Sequence, residues 1–211
     1  MKNASQNRLR AGLLTVLVAL PLTAATTTSR ADTTRQVGFL STAPASNAPH
    51  KRRLSVSQYF IEFRSRQALS YGHTFAAFGK LNGRGNILEY EVAGLHPAGD
   101  SPVPWMLGHV FLVPSETGAS IGDRDEQYIT ARYRVPLNES QYRKVTAYIK
   151  ELQTNSPTWH AVLYNCNAFV ADIAKFMGLE TPSSTLLYPA DFINNLRTLN
   201  EGRQPTALST G

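Results

Sequence analysis

From Ser57 onward the chain alternates with period two: Tyr59, Ile61 and Phe63 against Glu62, Arg64 and Arg66. That is the pattern of a strand with one face buried. A short Ser-Tyr-Gly turn leads into a second strand, His73-Thr-Phe-Ala-Ala-Phe-Gly-Lys-Leu81. Asn82-Gly-Arg-Gly85 predicts a hairpin turn, because Asn and Gly both accept positive φ. Residues 86–92 then return, with Leu88, Tyr90 and Val92 on one face and Glu89 and Glu91 on the other. His109–Val113 and Tyr128–Val135 predict two further strands, and 114–127, rich in Gly, Ser, Asp and Glu, predicts a loop.

The period then becomes helical. Asn138 stands three residues before Gln141 in a capping-box arrangement, and Tyr142, Val145, Tyr148, Ile149 and Leu152 fall on one face. Asn155-Ser-Pro157 ends that helix. A second apolar stripe, Phe169, Val170, Ile173, Ala174 and Met177, predicts a helix that begins around Asn165–Asn167 and stops at Gly178. A last helix is expected over 190–199. Strands followed by helices predict an α+β class, an antiparallel sheet with helices packed on it.

The N-terminus carries a different signal. Lys2, Arg8 and Arg10 precede the apolar run 11–20, which is short for a bilayer span, and Ser29-Arg30-Ala31 offers small residues for cleavage before Asp32. The expected organisation is a signal peptide at 1–31, a flexible leader at 32–53, one domain at 54–200 and a polar tail at 201–211. The expected location is a periplasm or the exterior of a bacterial cell. Charge changes the picture once it is located. The chain carries a formal +6, yet 54–200 holds twelve bases against thirteen acids, so the excess belongs to the leader and a nucleic-acid partner is not expected. No phosphate loop, no His-Glu-x-x-His pattern and no Gly-x-Ser-x-Gly elbow occurs, so neither metal nor cofactor is expected.

Cys166 is the sole cysteine of the 211 residues, which excludes a disulfide within the chain. An unpaired thiol in an exported protein is either a buried small hydrophobe or a reactive group. Its position at the first turn of a helix favours the thiolate and supplies amides for a developing oxyanion. A nucleophilic thiol needs a base. Of the five histidines, His50 lies in the leader, His160 on the approach to the Cys166 helix, and His109 within an apolar strand where a core role is expected. His96 closes the hairpin. His73 opens a strand directly after Gly72 and is the expected base.

Gly72-His73-Thr74-Phe75, followed by Tyr164-Asn165-Cys166-Asn167-Ala168-Phe169-Val170 at a helix start, resembles the circularly permuted papain-like thiol hydrolases. These are relatives of NlpC-type cell-wall endopeptidases and of lecithin–retinol acyltransferase, in which the His strand precedes the Cys helix. The resemblance spans roughly 57–200. It implies Cys166 as nucleophile, His73 as general base and acid, and the Cys166 N–H as part of an oxyanion hole. It also implies a polar residue beside His73 that orients the ring. The hairpin register sets Ala93 or Gly94 opposite His73, whereas a bulge would bring Glu91 and a longer loop His96. The function so implied is an exported cysteine hydrolase acting on an amide or ester, with cell-wall peptides the natural substrate. The rivals are a non-catalytic envelope binding module of the same fold and a lipid acyltransferase.

Overall fold

The computed structural model describes residues 58–68, 71–203, 205, 206 and 208. The expected signal peptide and leader lie outside the described residues. The elements run β1 (Tyr59–Arg66), β2 (His73–Leu81), β3 (Ile87–Ala93), β4 (His96–Pro97), α1 (Pro102–Leu107), β5 (Val113–Glu116), a 3₁₀ turn (Glu126–Tyr128), β6 (Ile129–Leu137), α2 (Glu139–Thr154), β7 (Thr158–Trp159), α3 (Cys166–Phe176) and α4 (Pro189–Asn200). The fold is α+β. A four-stranded antiparallel sheet in the order β3-β2-β1-β6 and a small sheet β4-β5-β7 carry the four helices.

The local reasons match the sequence pattern closely. Gly85 takes φ +81 and donates to the Asn82 carbonyl, while Asn82 Oδ1 accepts from Arg84 and Asn86, closing the β2–β3 hairpin. Asn138 and Gln141 form the reciprocal capping box of α2. Asn165 caps α3 through the Ala168 N–H, and Gly178, at φ +77, ends it. Ile61, Phe63, Ala76, Phe78, Val135 and Leu137 on one face of the sheet meet Phe169, Val170, Ile173 and Phe192 from the helices in the main core. Burial of each such side chain contributes roughly 1.5–3 kcal/mol.

Two expectations are corrected. First, β1 is buried on both faces rather than half-buried, since Glu62 and Arg64 are as enclosed as Phe60 and Phe63. Charge pairing is what permits this: Glu62 accepts from Arg64 Nε and Arg134 Nε, both at 2.6 Å, and Arg64 also lies over the Tyr90 ring. Secondly, 109–112 is a turn and not a strand. The strand starts at Val113, while Val110, Phe111 and Leu112 are exposed. Apolarity there reflects surface rather than core. The helix α1 before it carries two prolines, Pro102 and Pro104, at positions where a helix start tolerates them.

Candidate functional site

Cys166 is the first residue of α3, and its thiol lies within hydrogen-bond reach of the Thr74 side chain and N–H and of the N–H groups of Asn167 and Cys166 itself. Sheet topology explains the Thr74 contact. The β2–β3 ladder ends at Ala76–Ala93, so the backbone of Thr74 has no β3 partner and its N–H is directed at sulfur instead. The Thr74 hydroxyl donates to Asn167 Oδ1 at 3.0 Å. Asn167 Nδ2 in turn donates to the carbonyls of Thr185 and Leu187, which fixes the orientation of its amide. The neighbours of the sulfur are therefore polar, although Cys166 is buried.

Burial pushes the Cys166 thiol up from its ordinary value, against the opposing pull of the Thr74 and helix amide donors. This corrects the expectation that the helix N-terminus would favour the thiolate. Desolvation of the anion outweighs the dipole when the sulfur is enclosed.

His73 opens β2 after Gly72, which takes φ +96 and whose missing Cβ would meet the Arg66 carbonyl at 2.6 Å. Strand alternation sends Thr74 toward the helices and His73 to the reverse face, where its ring stacks on Phe75 with centroids 5.9 Å apart. Gly94 makes room for it, since a Cβ at Gly94 would stand 2.8 Å from His73 Nε2. Burial lowers the His73 pKa to about 4, with buried Asp123 opposing and Arg66 and His96 assisting. Neither ring nitrogen has a hydrogen-bond partner among the described residues, Cys166 included, so the structure does not bring the expected base into contact with the thiol. The nearest carboxylate oxygen, Asp123 Oδ2, is 3.9 Å from Nε2.

Of the two expected ring-orienting residues, the structure brings one to His73. Glu91 pairs with Phe78, five residues along β2, or about 16 Å at strand rise, and it is exposed. His96 lies beside the imidazole, edge to face, with centroids 5.9 Å apart. The ladder register, continued beyond Ala76–Ala93, leads to the same pair. His96 Nδ1 faces the Pro97 carbonyl at 3.1 Å and Nε2 has no partner. His109 is corrected: it is exposed on the turn after α1, not a core strand residue, with Nδ1 2.9 Å from the Trp105 carbonyl. His160 Nδ1 accepts from the N–H groups of Val162 and Leu163, which assigns it a structural role in the turn before α3.

Three members of the cluster escaped sequence reasoning. Asp123, in the acidic loop, is fully buried and held by Arg66 Nε at 2.6 Å, the Ser120 N–H at 2.8 Å and the Ser120 hydroxyl at 3.1 Å. Arg66 belonged to an expected solvent face. Tyr71, from the β1–β2 turn, has a hydroxyl without a hydrogen-bond partner and a phenol pKa raised by burial and by nearby Cys166. Among the described residues no cluster of His, Cys, Asp and Glu suited to a metal ion occurs. No family model, curated protein or solved structure matches this chain.

Proposed function

We propose that this chain is an exported cysteine hydrolase that cleaves an amide or ester bond through a thioester on Cys166, with His73 as general base. The order of His strand before Cys helix is the permuted papain-like arrangement that its motifs resemble. The observation that carries the reading is the sulfur at the head of α3, bonded by Thr74 and the first helix amides one residue along β2 from His73. A second observation supports it. An enclosed imidazole beside an ion-paired carboxylate, with unpartnered nitrogens, is costly for a structural residue and useful for a proton carrier.

The resting pair is a neutral thiol and a neutral imidazole, since burial moves Cys166 up and His73 down. In the forward step Sγ bonds to the substrate carbonyl carbon while its proton passes to His73. The oxyanion is held by the Cys166 N–H and the Tyr71 hydroxyl. Collapse expels the amine or alcohol, which takes the proton from His73 and leaves a thioester. Water then attacks the thioester, His73 accepts its proton, and the acid departs as the thiol re-forms. His96 and Asp123 flank the ring on the face of β2 opposite the sulfur, so the proton transfer requires the imidazole to swing around the start of β2 toward Cys166.

A peptide or acyl compound is the substrate class, with cell-wall peptides first by compartment. The binding-module alternative is favoured by the enclosure of both Cys166 and His73. Intact-mass analysis during incubation with muropeptides and with acyl esters separates these readings. Hydrolysis with an acyl adduct on wild type, and neither on Cys166→Ser, is the expected result. Products that persist in Cys166→Ser, or no adduct and no turnover with either substrate set, would overturn it. Transfer to an alcohol or amine in preference to water would identify an acyltransferase.

A further inference from the structure

Three segments meet around the head of α3: 101–115, 152–171 and 181–190. Backbone and side-chain hydrogen bonds tie them together. The Ala161 N–H donates to the Gly108 carbonyl, and Asn165 Nδ2 donates to both the Ala161 and Thr185 carbonyls. None of the three contains a single Asp, Glu, Lys or Arg. Among the described residues, every exposed large apolar side chain except Leu88, Ile121, Tyr128 and Leu199 belongs to them. Met106, Val110, Phe111, Leu163 and Tyr188 are each more than 60% exposed. A water-facing surface that gathers its apolar side chains and omits every permanent charge is an interaction surface.

We infer that this face docks on the surface of a lipid bilayer. Charge selects the occupant. Arginine is the charged anchor that protein interfaces favour, and a charged ligand needs a counter-charge; these segments supply neither. The hydrocarbon boundary of a bilayer is the partner for which the absence of charge is itself complementary, because ionic groups resist transfer there and apolar ones favour it. The form of the surface agrees. The side chains project as separate knobs from turns, at 110–112, 162–163 and 186–188, and not as a groove shaped for one ligand. Tyr188, exposed beside them, has the apolar body and polar tip suited to the headgroup level. The surface rings the end of α3 that bears Cys166, so docking sets that end toward the membrane. The docking does not depend on chemistry at the thiol.

The test is co-sedimentation of the full chain with phosphatidylcholine vesicles, comparing wild type with Phe111→Ser/Leu163→Ser and with Leu88→Ser/Ile121→Ser. The apolar run at 11–20 is common to all three proteins, so differences between them report the folded domain. Circular dichroism checks that each variant melts as the parent does. The expected result is at least a tenfold loss of partitioning in the Phe111/Leu163 variant and no change in the Leu88/Ile121 variant. Equal partitioning of all three, or none by wild type, would overturn the inference. So would self-association by sedimentation velocity that the Phe111/Leu163 substitutions abolish while vesicle binding persists, for then a second copy covers the face.

Discussion

At His73 burial has a consequence that falls within the pH range where folding is readily followed. Its imidazole loses proton affinity, to a pKa of about 4, chiefly because the charged ring would be desolvated. Above about pH 6.5 both folded and unfolded chains hold it neutral, and its contribution to stability is complete. As pH falls below that value the unfolded chain gains a proton that the folded chain refuses, so stability declines until about pH 4. The full decline is on the order of 3 kcal/mol. Urea unfolding of wild type and His73→Gln across pH 4–7 should therefore converge: the gap between them shrinks as pH falls, and the variant lacks this component of the slope. Asp123 presents the complementary case. Its carboxylate is the partner of a largely enclosed Arg66, and Asp123→Asn leaves that guanidinium unpaired. A loss of about 2–3 kcal/mol in the same unfolding assay is expected, whereas a cost under about 0.5 kcal/mol would mean water satisfies Arg66. The role of Asp123 was invisible in the sequence. It sits in a polar loop 57 residues from Arg66, and no local pattern signals a buried ion pair closed over that distance.

At the level of elements, most of the fold was legible because capping and turn chemistry are local. β2 spans the residues its pattern gave, and the starts of α2 and α3 follow from Asn138 and Asn165. The two caps should differ in worth. Asn138 serves α2 alone on an exposed surface, so Asn138→Ala should cost about 1 kcal/mol. Asn165 also bonds the Ala161 and Thr185 carbonyls, so Asn165→Ala should cost clearly more, about 2–3 kcal/mol, by thermal or urea unfolding. The elements that misled were those whose apolar residues serve something other than the core. Val110, Phe111 and Leu112 satisfy a strand pattern but belong to an exposed turn, and Glu62 and Arg64 satisfy a solvent-face pattern but neutralise each other indoors. Register was the other limit. Counting from the turn left Glu91 and His96 both open. The loop closes one residue later than expected, at Leu81–Ile87, and the bulge between Lys80 and Leu81 shifts the register once more, toward His96 and not toward Glu91 as a bulge was expected to do. Gly94 then matters as the floor beneath the ring. Gly94→Ala should displace the imidazole while leaving the hairpin paired, visible as a shifted His73 ring resonance with an unchanged far-ultraviolet spectrum.

Across the whole molecule, two polar clusters flank the start of β2: His73 with Asp123, Arg66 and His96 on one face, and Cys166 with Thr74 and Asn167 on the other. All described residues belong to one compact unit, and among them no helix is long and apolar enough to cross a membrane. The central claim is that a neutral imidazole activates an enclosed, protonated thiol at the moment of attack. The rate of Cys166 alkylation by iodoacetamide between pH 5 and pH 9, in wild type and His73→Ala, reads this directly. With His73 as base, wild type reacts at pH 7 at least a hundredfold faster than the variant, the lower end of what general-base assistance delivers. The variant's rate then rises tenfold per pH unit as thiolate alone becomes available. Superimposable profiles for the two proteins would contradict the account.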